Sequence, residues 1–127
     1  MWVDDTTFRS YQAKKSKNKG GAWESEVVEI LNSIGYETCR SAGESKRLDD
    51  AKVDIADLKG DLDVAIQCKY TQNLPNYFKL RELCPDKRPF CLLWKKVADV
   101  GSISEGSVAV IPSDFFFELL ENYKNKK

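Results

Sequence analysis

The chain has 127 residues, which allows one domain with a single modest core. Apolar residues make up 42% and charged residues 31%, values that exclude a disordered or fibrous chain, and a net charge of zero argues against a protein that coats nucleic acid by charge alone. There is no histidine, and the four cysteines (Cys39, Cys68, Cys84, Cys91) form no CxxC pair, which removes zinc-finger and histidine-based designs and leaves reduced, partly buried thiols as the expectation.

No run approaches the roughly 18 apolar residues of a membrane span, and the first ten residues lack the apolar core of a secretory signal. A soluble, cytoplasmic protein with no membrane partner is therefore expected. No acid occurs between Asp5 and Glu24, whereas Arg9, Lys14, Lys15, Lys17 and Lys19 fall there. Residues 1–18 read as a flexible basic arm, either simply solvated or binding phosphate.

A single domain is expected over residues 19–123. Trp23, Val27, Ile30, Leu31 and Ile34 recur at helical spacing, with Gly35 as a stop. Residues 36–40 are a short β-prone run, and residues 41–52 are polar and read as a loop. Residues 53–57 and 63–69 look like two strands of a hairpin, turned by the Gly60 and Asp61 region. A brief helix is expected at 76–83, strands at 90–97 and 107–111, and a last helix capped by Ser113, in which Phe116, Leu119, Leu120 and Tyr123 share a face. Phe115, Phe116 and Phe117 in a row cannot all face one core, so this helix either ends the core or meets a partner subunit. Residues 124–127 read as a frayed tail. The order implies an α/β fold, a mixed β-sheet flanked by helices.

Strand alternation places Ala65, Gln67 and Lys69 on one face of the second hairpin strand and Val64, Ile66 and Cys68 on the other. If the turn pairs Leu58 with Asp63, Asp54 lies directly opposite Gln67, with Cβ atoms about 4.5–5.5 Å apart. A carboxylate, an amide oxygen and an ammonium then converge, as Mg²⁺-dependent phosphodiester hydrolysis requires. Asp54 would anchor the cation, Gln67 and the main-chain carbonyl of Cys68 would add neutral oxygens, and Lys69 would offset charge on the phosphate. Glu24 borders the buried stripe of the first helix, where it either reaches the metal or complements the helix dipole. The plain alternative for the hairpin is an edge pair with solvated polar residues.

Lys19-Gly20-Gly21-Ala22-Trp23-Glu24, Ile34-Gly35-Tyr36, Arg40-Ser41-Ala42-Gly43, Val53-Asp54-Ile55 and Ile66-Gln67-Cys68-Lys69, in order and with similar spacing, resemble the archaeal-type Holliday junction resolvases of the PD-(D/E)xK nuclease superfamily. The likeness spans about residues 19–72. It implies a restriction-endonuclease-like fold, Glu24, Asp54 and Gln67 as metal-site residues and Lys69 as the catalytic lysine. It also implies Mg²⁺ as cofactor, with Mn²⁺ able to substitute, and a homodimer that makes paired nicks in four-way DNA junctions. Arg40 and Ser41 match a segment near the active site and the DNA backbone. Lys17, Lys19, Lys46 and Arg47 are further candidate DNA contacts. Gln67 stands where the family normally has Glu, the loop from Glu44 to Lys52 is longer than usual, and Ser25 replaces a basic residue. A duplex-specific nuclease of restriction or homing type, and a DNA-binding relative without catalysis, are the alternatives. A small, compact chain of this kind suits a bacteriophage or mobile element.

Overall fold

A computed structural model describes residues 19–41, 53–98 and 105–126. Within them the elements run α1 (Lys19–Ser33), β1 (Thr38–Arg40), β2 (Ile55–Asp57), β3 (Ala65–Thr71), α2 (Tyr77–Leu83), β4 (Phe90–Lys96), β5 (Ser107–Val110) and α3 (Ser113–Asn125). This is a mixed α/β architecture. β3 and β4 pair in parallel and β4 and β5 antiparallel, so the three-stranded sheet is mixed, in the order β3-β4-β5. The basic arm and most of the polar loop, with Lys17, Lys46 and Arg47, lie outside the described residues.

Helix α1 ends as its sequence dictates. Gly35 adopts φ +114°, and Gly35 N–H donates to the Asn32 carbonyl at 3.2 Å while Tyr36 N–H donates to the Leu31 carbonyl at 3.1 Å. That pair of bonds is the Schellman arrangement, which needs a left-handed residue that only Gly adopts without strain. Asn32 then ties the outgoing chain to the helix: its Oδ1 accepts from Thr38 N–H (2.8 Å) and from the Thr38 hydroxyl (2.9 Å). The consequence is that β1 runs back beside α1, carrying Arg40 and Ser41 toward the start of the helix.

Two apolar clusters lie on the two faces of the sheet. Trp23 and Val27 of α1 pack with Ile55, Leu62, Ile66, Cys68 and Cys91. On the other face Val53, Ala65, Tyr77, Cys84, Phe90 and Leu92 gather under α2. The expected alternation along β3 holds, since Ile66 and Cys68 fall in the first cluster and Ala65 in the second. Trp23 Nε1 donates to the Leu93 carbonyl at 2.9 Å, and Tyr77 donates its hydroxyl to the Phe90 carbonyl at 2.6 Å, so α1 and α2 are each tied to the sheet by a directed bond besides apolar contact. Asn76 caps α2, its side chain accepting from Phe78 and Lys79 N–H.

The hairpin expectation needs correction. β2 pairs antiparallel with β1, through Thr38↔Asp57, Cys39↔Ala56 and Arg40↔Ile55, and forms no ladder with β3. The turn itself is as expected but closes on its own side chain. Asp57 accepts Lys59 N–H at 3.1 Å and also Leu62 N–H, and Gly60 takes φ +74°. Val53 and Ile55 also part company, one in each cluster, because the chain is not yet strand at Val53.

Asp57 gives a test of this turn. Desolvation pushes its carboxyl up, but the N–H donors of Leu62, Lys59 and Gly60, with the charge of Arg88, outweigh that and hold it below its ordinary 3.8. A depressed carboxyl stabilises the fold above the unfolded value and loses that contribution as pH falls through the folded value. Asp57→Asn is therefore expected to flatten the stability profile below about pH 4. Urea unfolding at stepped pH checks this, and an acid limb that matches the unmodified chain would show that the turn does not depend on the ionised carboxylate.

At the far end, Ser113 opens α3 rather than capping it. The cap is Pro112, with no side-chain bond, and the helix continues through Asn125, past the expected end at residue 123. No residue of α3 is buried. Among the described residues no helix is long and apolar enough to cross a membrane.

Candidate active site

Asp54 sits just before β2 and is held on three sides. Its N–H donates to the Ile66 carbonyl at 2.8 Å, its carbonyl accepts Ser41 N–H at 2.9 Å, and its carboxylate Oδ2 accepts Cys68 N–H at 2.7 Å. The carboxylate thus occupies the place of a ladder carbonyl on β3. A short acidic side chain competes with backbone pairing in this way, which explains why β2 does not continue along β3. Asp54 therefore brackets Gln67 through the residues on either side of it, rather than standing directly opposite as the simple hairpin register would have it.

Glu24 enters from α1. Its Oε1 accepts Arg40 Nε at 3.0 Å, with the Glu24 side chain 20% exposed and that of Arg40 41%. Arg40 ends β1 and Ser41 follows, so a continuous path of contacts runs from Glu24 through Arg40 and Ser41 to Asp54 and Cys68. The sequence reading assigned Arg40 and Ser41 to DNA. Arg40 is partly open to solvent but engaged with Glu24, while Ser41 is only 1% exposed, which takes it off any surface DNA could touch. Its place is to hold the Asp54 main chain.

Gln67 is 4% exposed, and its Oε1 is buried with no hydrogen-bond donor among the described residues. An amide oxygen left bare in this way costs about 1–3 kcal/mol. Such an atom calls for a hydrogen-bond donor or a cation as its partner. Lys69 lies two residues further along β3 on the Gln67 side of the strand, half-buried. Strand geometry also sends the carbonyl of Cys68 toward the same edge as its N–H, the edge where Asp54 stands.

The Cys68 thiol is pushed well up, first by burial and then by the negative charges of Asp54 and Glu24 and by Cys91, with Arg40 opposing. Both acids therefore act on the Cys68 thiol, which lies on the face of β3 opposite Gln67 and Lys69. Burial alone takes Cys91 to about 12. Alkylation of the folded chain at neutral pH is expected to label the half-buried Cys39 first and to reach Cys68 and Cys91 only on unfolding. Mass mapping of the adducts checks this, and labelling of Cys68 in the folded chain at the rate of Cys39 would contradict the packing of β3.

Among the described residues no three His, Cys, Asp or Glu side chains group so as to hold an ion by themselves. The candidate oxygen donors are two carboxylates, Asp54 and Glu24, the amide oxygen of Gln67 and the main-chain oxygen of Cys68, with the Gln67 side chain on the face of β3 opposite Cys68 and α1. All are oxygen donors, which suits a hard divalent cation such as Mg²⁺ or Mn²⁺ better than zinc. The side chain of Lys19 and the residues Lys17, Lys46 and Arg47 lie outside what the structure describes, so their approach to this edge is not part of the geometry. No protein-family model, curated protein or solved structure matches the chain.

Proposed function

We propose that the chain is a divalent-metal-dependent endodeoxyribonuclease that acts on branched DNA, making paired nicks in four-way junctions. The single observation that carries this reading is the buried, donor-less Oε1 of Gln67 on the strand whose next N–H holds the Asp54 carboxylate. The resemblance of residues 19–72 to junction resolvases supplies the substrate class.

When bound, Mg²⁺ or Mn²⁺ would make water a competent nucleophile near neutral pH and neutralise phosphate oxygens. Asp54 is the anionic anchor, kept in one orientation by Cys68 N–H. Glu24 adds a second negative oxygen, and Gln67 and the Cys68 carbonyl complete the oxygen donors without adding charge. With Gln67 neutral, the edge carries one negative charge fewer than a glutamate would give, so weaker cation affinity is expected. Lys69 presents an ammonium to the phosphate, where it meets the charge that builds up as the P–O bond breaks. Arg40 keeps Nε on Glu24 and can fork its terminal nitrogens onto a phosphate oxygen.

The neutral Gln67 also favours a second reading, a DNA-binding relative without catalysis. Incubation of the full chain with a labelled four-way junction and Mg²⁺, with and without excess linear duplex, separates the two. Symmetric nicks that persist under duplex competition support the proposal. Nicks lost to the duplex point to a duplex cutter, and binding without cleavage in either Mg²⁺ or Mn²⁺ supports the inactive relative.

A further inference from the structure

The face of the sheet that α2 covers is closed at one end only. Gln67, Leu92 and Val110 lie in register across β3, β4 and β5, and Gln67 (4%) and Leu92 (0%) are shut away. Two residues along, Lys69, Trp94 and Val108 form the next row of the same face. This row is open: Lys69 and Trp94 are half-buried and Val108 is 52% exposed. Trp94 packs against the cluster under α2, and its Nε1 donates to the Thr71 hydroxyl at 2.9 Å. The indole is thus held in place with its one donor already used.

We propose that Trp94 is a stacking platform for one unpaired nucleobase of the DNA strand whose phosphate lies at Lys69. An indole whose N–H is taken offers a ligand an apolar π face and nothing to hydrogen-bond, which selects a flat, unsaturated group. The charges beside it select a polyanion as the carrier of that group. Lys69 adjoins Trp94 on β3 and forms no ion pair among the described residues, and Lys96, two residues beyond Trp94 on the same face, pairs with Glu105 just before β5. An aromatic ring set among lysines is the arrangement by which single strands are held, bases on the ring and phosphates on the cations. A base within intact duplex must first leave its stack, whereas one in a single strand or at a branch point is unstacked at least cost, so Trp94 favours interrupted DNA. The inference deepens the nuclease reading and rests on it for the occupant, because that reading is what places a phosphate at Lys69.

Binding of the full chain, in EDTA and at low salt, to fluorescein-labelled oligothymidylate and to an abasic strand of equal length and charge tests it without cleavage. The unmodified chain is expected to bind oligothymidylate at least roughly fivefold more tightly than the abasic strand. Trp94→Leu, which keeps an apolar contact with the α2-side cluster, is expected to lose that preference, and Trp94→Phe to keep part of it, both with an unchanged circular dichroism spectrum. Equal binding of the two strands by the unmodified chain overturns the proposal, as does an undiminished preference in Trp94→Leu. Binding of neither strand also overturns it and leaves this face to a protein partner. A Trp94-dependent base preference in a chain that never nicks a junction would sink the nuclease reading alone, whereas nicking by a chain without that preference would sink this proposal alone.

Discussion

Asp54→Asn is expected to abolish detectable nicking of a four-way junction while leaving the chain folded. The substitution is chosen for its geometry: an amide oxygen can still accept Cys68 N–H, now 2.7 Å from Oδ2, so the link between Asp54 and β3 survives while the negative charge goes. Asp54→Ala would be a poorer probe, because it leaves the Cys68 N–H bare and mixes a folding defect with a catalytic one. Lys69→Ala should lower cleavage by about 10²–10³, the usual cost of removing one group that stabilises transition-state charge. Neither change should alter junction affinity by more than a few-fold, since neither residue is asked to position the DNA. Single-turnover cleavage and gel-shift assays on the same preparations read both quantities. Equal nicking by all three proteins would assign the activity elsewhere.

The second large effect concerns stability. Lys95 Nζ lies 3.2 Å from both carboxylate oxygens of Glu26, with side-chain exposures of 8% and 3%. The ammonium also stands over the rings of Trp23 (5.3 Å) and Tyr70 (5.9 Å). Removing one partner strands the other charge in a site with little water. Lys95→Met and Glu26→Gln are each expected to cost about 3–5 kcal/mol, read as a lowered urea midpoint. Replacing both, as Glu26→Leu with Lys95→Met, should be less destabilising than either alone, because two desolvated charges disappear together. Single variants within about 1 kcal/mol of the unmodified chain, as for a surface pair, would contradict the buried assignment. The pair also bears on the site: Glu26 shares the first half of α1 with Glu24, so loosening it frees the helix end that presents Glu24 to Arg40.

The sequence carried the local parts of this arrangement well. Gly35 as a helix stop, the inward stripe of α1 from Trp23 to Leu31 but not the exposed Ile34, the alternation of Ile66 and Cys68 against Ala65, Gln67 and Lys69, and the turn at Gly60 all follow from periodicity and backbone chemistry confined to a few neighbours. The errors are where partners are remote or where a side chain replaces a backbone bond. Asp54 takes the Cys68 N–H with its carboxylate, so the simple hairpin register fails although the two segments do meet. Nothing in residues 53–57 tells that their ladder goes to Thr38–Arg40 instead. Arg40 looked free for phosphate because Glu24, sixteen residues earlier, is brought to it only by the Asn32–Thr38 tie. The Glu26–Lys95 pair, at a separation of 69 residues, has no local signal at all. For α3 the amphipathic pattern was legible, and what it left open was whether the stripe faced inward or out.

Titration of Mn²⁺ into the chain, followed by electron paramagnetic resonance, tests the proposed cation site directly and needs no DNA. Gln67→Leu is the informative variant, because it removes a buried oxygen that has no donor: the fold should lose nothing in stability, while Mn²⁺ affinity should fall at least roughly tenfold. Asp54→Asn should bind weakest of all. Mn²⁺ bound equally by the Gln67→Leu variant and the unmodified chain, or by neither, would mean that no ion sits at the edge of β3 and that the Gln67 oxygen is bare for some other reason.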